Sequence, residues 1–221
     1  MFGRLVVCGA LLLMLGIAGC GSSVGAAETT GTTEATASSP VTTAATTTTT
    51  LAAGDLEPIV VPTLPAKIPG YTEVDPATGL HMTGTPTVID LASYRLTVDG
   101  KVAHPLSLSY DDLRRLPKVT ATPTLVCQGF FADTTTWSGV PLTAILEMAG
   151  VQPDAERITM KSADGYAATL DLDEALKPEN FLAYEWMGQP LPVLHGFPLR
   201  AVIPGHNGNV WVKWLVQIVV E

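Results

Sequence analysis

A chain of 221 residues with 47% apolar side chains can fill one good core once any leader is set aside. Its formal charge is −9, and its 12 Lys and Arg are scattered, so it lacks the basic stripe that would track a nucleic-acid backbone. Three Cys, two of them in the first 20 residues, exclude a disulfide framework.

The N-terminus reads as a signal peptide over residues 1–19. Arg4 gives it a positive start, and the apolar run from Leu5 to Ile17 is too short to span a bilayer comfortably. Ile17-Ala18-Gly19-Cys20 resembles the bacterial lipobox, which implies lipidation at Cys20 and an extracytoplasmic, membrane-anchored protein. Residues 20–54 are Thr, Ala, Ser and Gly with almost no large apolar side chain. They cannot bury enough surface to offset ordering, so they are expected to form a disordered tether.

Residues 55–92 carry six prolines and read as an extended lead-in, with a short edge strand expected at Ile59, Val60 and Val61 and a polar loop at residues 81–86. The folded domain is expected over residues 93–221. Tyr94, Leu96 and Val98 alternate with polar neighbours ahead of a turn at Asp99-Gly100. Ser109 can cap a helix over 110–116 that Pro117 closes. Residues 119–126 read as one strand ending at Cys127, and Gly129 to Thr136 as a loop. Leu142, Ile145, Leu146 and Ala149 share one face of a helix that Gly150 stops. Strands follow at 157–161, 166–170, 181–186, 199–203 and 210–220, with a short acidic helix at 172–176 and a turn at 188–190. The last strand is apolar nearly throughout and should be central. Many short strands with two or three outer helices make an α+β domain, mainly β.

Two features carry chemistry. Residues 195–213, HGFPLRAVIPGHNGNVWVK, bring His195, Arg200, His206, Asn207 and Lys213 together among glycines and prolines. Arg200 is a planar donor fork and Lys213 a point charge, the side chains that hold phosphate, so the stretch reads as a cradle for an anion. His206 and Asn207 face either a substrate pocket or only their own turn. Cys127 has no partner outside the first 20 residues, which leaves three readings: a buried structural Cys, a nucleophile served by His195 or His206, or a soft metal ligand. Phe130, Phe131 and Trp137 are candidates for a pocket wall or for plain packing. His104, ahead of Pro105, reads as a surface residue.

TLVCQGFFADTTTWSGVPLTAILEMAGV, SADGYAATLDLDEAL and FLAYEWMGQPLPVLHGFPLRAVIPG, followed by VKWLVQIVV, together resemble the sulfite-oxidase superfamily of molybdopterin-dependent oxidoreductases. The resemblance covers residues 94–221. It implies the family's molybdopterin-binding fold, Mo-molybdopterin as cofactor and Cys127 as molybdenum ligand. It also implies that His195, Arg200 and Lys213 hold the pterin and its phosphate, that Trp211 and Val212 offer backbone beside Lys213, and that Asp164 lies near the pterin.

The departures are specific. Many members follow the Cys with Gly-Asn-x-Arg, whereas Cys127 is followed by Gln128-Gly129-Phe130-Phe131, with no Arg for a dianion such as sulfite. The family's N-terminal cofactor loop, rich in Asn and His, has no clear equivalent and only residues 81–86 as a stand-in. The sulfite oxidases' second domain and active-site Tyr would lie beyond Glu221. The expectation is therefore oxygen-atom or two-electron transfer on a small-molecule substrate other than sulfite, with a separate redox carrier, because the chain has no haem-attachment motif. Exported molybdopterin enzymes usually carry a twin-arginine leader, and this leader has only Arg4. That keeps a second reading open, a lipid-tethered extracytoplasmic binding module that retains the fold without the cofactor.

Overall fold

The computed structural model describes residues 56–221; the leader, Cys20 and the tether lie outside them. In chain order the elements are β1 (Leu96–Gly100), β2 (Leu106–Leu108), α1 (Tyr110–Arg115), β3 (Val119–Ala121), β4 (Thr124–Cys127), β5 (Phe131–Thr134), β6 (Trp137–Pro141) and α2 (Leu142–Ala149). They continue with β7 (Arg157–Ser162), β8 (Ala167–Asp171), α3 (Leu172–Ala175), β9 (Phe181–Trp186), β10 (Gln189–Pro190), β11 (Arg200–Val202) and β12 (Leu215–Val220). The mainly β, α+β class expected from the sequence is the class observed.

Two five-stranded sheets share one apolar core. The first has the order β2-β1-β12-β7-β8. Its middle strand is β12, as the apolar run requires, parallel to β1 and antiparallel to β7. The second has the order β10-β9-β6-β3, with β11 also paired to β9. Helix α2 packs on β6 and β9, and its buried residues are the predicted four, Leu142, Ile145, Leu146 and Ala149. Gly150 ends it in the left-handed conformation at φ 65°, a region costly for other side chains. Ser109 caps α1 in a capping box with Asp112.

Five local expectations change. Residues 119–127 form two strands, because Pro123 has no N–H to continue a ladder; β3 pairs with β6, and β4 with β5. The expected loop after Cys127 is a hairpin instead, turning through Gly129 at φ 82° with the Phe130 N–H donating to the Cys127 carbonyl at 3.0 Å. The last strand starts at Leu215, since Trp214 sits at φ 49° and breaks the ladder there. Residues 59–61 form no strand, and Val60 is exposed. The Asp99-Gly100 turn is longer than a tight hairpin, with β1 running through Gly100 and residues 101–105 making the connection.

The β4–β5 hairpin is a two-stranded unit separate from both sheets, and a parallel bridge from Val126 to Asn207 ties it to the segment before the 3₁₀ turn Gly208–Val210. The approach there is close: a Cβ on Gly208 would meet the Leu125 side chain at 3.0 Å and oblige it to shift.

Candidate active site

The hairpin, the loops that follow β7, β9 and β11, and residues 71–85 of the lead-in enclose a cavity of about 620 Å³. Cys127, half-buried and unpaired, opens onto it from the tip of the hairpin. Asp164, His195, Arg200, Asn207, Trp211, Val212 and Lys213 all line it, so nearly the whole set named from sequence converges. Phe130, Phe131 and Trp137 line it as well, Phe130 from an exposed position. His206 does not. Its ring bonds Glu174 at 2.9 Å, turned toward α3, because that carboxylate offers a charge-assisted contact on the outer surface. His104 is exposed, as expected.

The two cations are built into the floor. Arg200, 4% exposed, enters from β11, and its Nη1 donates to the His195 carbonyl at 3.2 Å. Its guanidinium lies over Trp137 at 4.5 Å and near Trp211 at 5.8 Å, which fixes its plane. Lys213 is only partly covered as a residue, but its Nζ is drawn inward, donating to the carbonyls of Leu194 at 2.9 Å and of Thr83. Gly196, at φ 110°, lets these two side chains approach; a Cβ there would meet Arg200 and Lys213 at 3.0 and 3.1 Å.

Neither cation has a carboxylate in salt-bridge contact among the described residues. Burial therefore pushes Arg200 down to about 9, against the pull of Asp133. Burial, with the Arg200 charge second, pushes Lys213 down to about 7, against Asp164. Two donors on the floor are orphaned outright: Arg200 Nε and Trp211 Nε1 are buried without a hydrogen-bond partner. Orphaned buried donors are rare and costly, and an anion reaching them would satisfy both while restoring the cations. The residues present thus fit a phosphate-bearing group.

His195 is neutral. Burial first, then the charges of Lys213 and Arg200, push it down to about 4, although Asp75 opposes this. Its Nε2 lies 3.0 Å from Asp75 Oδ2 and 2.8 Å from Thr78 Oγ1. A carboxylate only accepts, so Nε2 carries the hydrogen and Nδ1 is left as an acceptor. His195 accordingly offers hydrogen bonding rather than charge. Beside Lys213 the Trp211 N–H donates to Gly208 and the Val212 carbonyl accepts from Ala201, while the Trp211 indole N–H is left without a partner.

Sequence reasoning reached the lead-in only through residues 81–86, as a stand-in for a family loop, and missed the contacts it makes. Asp75, Thr78, His81 and Thr83 reach residues 52 to 130 positions away, and no spacing rule connects such pairs. Asp133 was hidden in a stretch read as loop. Tyr71 and Tyr166 stand at the cavity wall, Tyr166 donating to the Asn209 carbonyl at 2.8 Å.

Residues 81–221 match the model of the oxidoreductase molybdopterin-binding domain. The chain belongs to this family. Membership makes molybdopterin the family's cofactor. The match begins at His81, inside the lead-in, in keeping with the contacts just described.

Among curated relatives, the chain is 33% identical over 132 residues to a protein of Azospira oryzae provisionally named as a protein-methionine-sulfoxide reductase subunit, YedZ1. That match covers 60% of this chain and 50% of the relative. It is 34% identical to the uncharacterized oxidoreductase YuiH of Bacillus subtilis, over 62% of this chain and 69% of that one. It is 36% identical to the mitochondrial sulfite oxidase of Rattus norvegicus, over 60% of this chain and 30% of that one. The chain thus spans half or less of two of these relatives. Among solved structures, the sulfane dehydrogenase SoxCD of Paracoccus pantotrophus superposes with a TM-score of 0.58 at 27% identity, over 61% of this chain and 40% of that one. The sulfite-oxidase-type fold expected from the motifs is therefore the fold found.

The electrostatics carry a prediction. Titrating cofactor-free protein with inorganic pyrophosphate should give an affinity that falls about tenfold per pH unit above pH 7, where Lys213 must regain a proton to meet the anion. Calorimetry at pH 6, 7, 8 and 9 measures it, and constant affinity across that range would place Lys213 outside the anion site.

Proposed function

We propose that the protein is a molybdopterin-dependent oxidoreductase in which the Cys127 thiolate ligates molybdenum and the substrate is a neutral oxide, a sulfoxide or N-oxide, that gives up oxygen. The observation that carries this is the arrangement of one cavity: two desolvated cations and two orphaned donors on its floor, and an unpaired thiol at its wall. Arg200, Lys213 and Trp211 would hold the phosphate-bearing pterin. Neutral His195 would accept a hydrogen bond through Nδ1, and Asp164 would contribute an acceptor beside Lys213. When bound, the cofactor supplies the two-electron chemistry that no amino acid offers.

The substrate class follows from what is left over. Arg200 and Lys213 are the only Lys or Arg side chains on the cavity among the described residues, and both are committed to its floor. The rest of the wall includes Phe130, Phe131, Tyr71, Tyr166 and Trp137, the carboxylates Asp133 and Asp164, and uncharged polar side chains such as Gln128 and Asn207. A dianion would find no further Lys or Arg there, whereas a neutral organic oxide has aromatic surface and uncharged donors to meet. The provisional name of the Azospira relative supports the sulfoxide, and its separate status as a subunit supports electron delivery by another protein.

The lipobox-like Cys20 and the tether support a place outside the cytoplasmic membrane, with the domain anchored to lipid. One preparation tests both parts. Full-length protein extracted from its native membrane should contain about one molybdenum and one pterin per chain, show ligand-to-metal absorption in the visible, and carry acyl chains on Cys20 by mass spectrometry. A native preparation free of molybdenum and pterin would overturn the oxidoreductase reading in favour of a binding module. A soluble chain with unmodified Cys20 would overturn the anchor alone.

A further inference from the structure

One cavity residue is held as a proton-transfer group is held. Asp133, on β5, accepts twice from His81: from its main-chain N–H at 2.8 Å and from its ring Nδ1 at 2.7 Å. The imidazole lies flat on Phe131, with ring centroids 4.3 Å apart and planes 7° from parallel. Phe131 in turn is the cross-strand partner of Cys127. The ring is therefore fixed in position, in plane and in tautomer, on the strand opposite the thiol.

The tautomer is decisive. A carboxylate only accepts, so the neutral ring carries its hydrogen on Nδ1 and presents a bare lone pair at Nε2. Nε2 has no partner among the described residues, while the His81 side chain is 26% exposed and lines the cavity. An ion pair serving stability alone would need neither the double clamp nor a free second nitrogen. Asp133 is the contacting charge. The other titratable groups on the cavity are Tyr71, Cys127, Asp164, Tyr166, His195, Arg200 and Lys213, and of these Arg200 is close enough to feel Asp133.

We propose that His81 is a catalytic acid–base residue of this site and Asp133 its positioning residue. His81 Nε2 takes a proton from bulk water at the cavity mouth and passes it to the oxygen leaving the substrate. The inference rests on the oxidoreductase reading above. In the net reaction a sulfoxide, two electrons from a reduced carrier and two protons yield a thioether and water. The sulfur–oxygen bond breaks, and both new bonds are O–H. His81 delivers these protons one at a time, returning to its neutral form after each, and the clamped Asp133 stabilises the imidazolium in between.

The test uses the cofactor-loaded full chain, with reduced methyl viologen as electron donor and a dialkyl sulfoxide as substrate. His81→Gln should retain its molybdopterin and its melting curve but lose roughly a hundredfold or more in kcat. Adding imidazole to His81→Ala should restore part of that rate, a readout that a structural role would not move. Asp133→Asn, whose amide can present an N–H to the ring and reverse the tautomer, should lower kcat with little change in KM. In the cofactor-free wild type, ¹⁵N chemical shifts should show hydrogen on His81 Nδ1 and not on Nε2. A kcat for His81→Gln within threefold of wild type, loss of molybdopterin from it, or failure of imidazole rescue would each overturn the proposal while leaving the oxidoreductase reading intact. Wild-type protein that holds molybdopterin yet turns over no oxide would overturn that reading, and this role with it.

Discussion

Cys127→Ser is expected to lower turnover by roughly a thousandfold or more, a loss of about 4 kcal/mol in transition-state stabilisation, with the fold unchanged. The two halves have different causes. Serine offers a hard, weakly acidic oxygen where a soft thiolate is needed, so the electronics of a bound molybdenum would change. The fold is indifferent because Cys127 is only half-buried, and what closes the hairpin is its main-chain carbonyl, which accepts from Phe130. A half-buried change of one atom should shift stability by about 0.5 kcal/mol or less. Activity with an artificial carrier, read beside a melting curve, tests both. Wild-type turnover in the Ser variant would remove Cys127 from the metal.

Arg200→Ala and Lys213→Met should each weaken molybdopterin binding by roughly ten- to 150-fold, since each removes charge-assisted hydrogen bonds of about 1.5–3 kcal/mol. Pterin content after purification from cells making the cofactor is the measurement, and equal content in all three proteins would show that the floor binds something else. Arg200→Lys should recover only part of the loss, because it keeps the charge but not the fork lying over Trp137.

Lys213→Met has a second signature, in stability. The folded group titrates near 7 and the unfolded one near its ordinary 10.5. Above pH 7 the unfolded chain keeps a proton that the folded chain releases, so the unfolded state binds more protons and stability rises with pH. Cofactor-free wild type should therefore gain stability between pH 7 and pH 9 relative to Lys213→Met. The Lys213 window runs on toward 10.5; Arg200, held down to about 9, contributes in the same direction in both proteins and cancels in the difference. Parallel curves for the two proteins would mean that Lys213 is not desolvated in solution.

His81 and Asp133 give the sharper contrast between what a linear pattern can reveal and what it cannot. Asp133 lies between Ala132 and Thr134 in a Thr-rich stretch, where polar composition suggests a loop. Its role exists only because β5 pairs with β4 and the resulting hairpin sets it against a lead-in residue 52 positions upstream. Asp75 and Thr78 are hidden in the same way, meeting His195 from about 120 positions away.

What the sequence by itself determined are features with short-range causes. The helix over Leu142–Ala149 follows from apolar residues at i, i+3, i+4 and i+7, with a glycine free to take the left-handed stop. The central place of β12 follows from a run that is apolar apart from Gln217, which suits the middle of a sheet better than its edge. The family motifs are of the same kind, since His195, Arg200 and Lys213 sit within 19 residues of one another. Tertiary structure alone decided the breaks and the partners. Pro123 interrupts a run that looks continuous, and Trp214 leaves the ladder so that Lys213 can turn inward to the Leu194 carbonyl. It also decided the chemistry of the cradle. Arg200 and Lys213 are ordinary cations in the chain and become displaced ones only when β11, the 195–198 turn and the lead-in close over them and exclude water, because a pKa responds to three-dimensional desolvation and not to sequence neighbours.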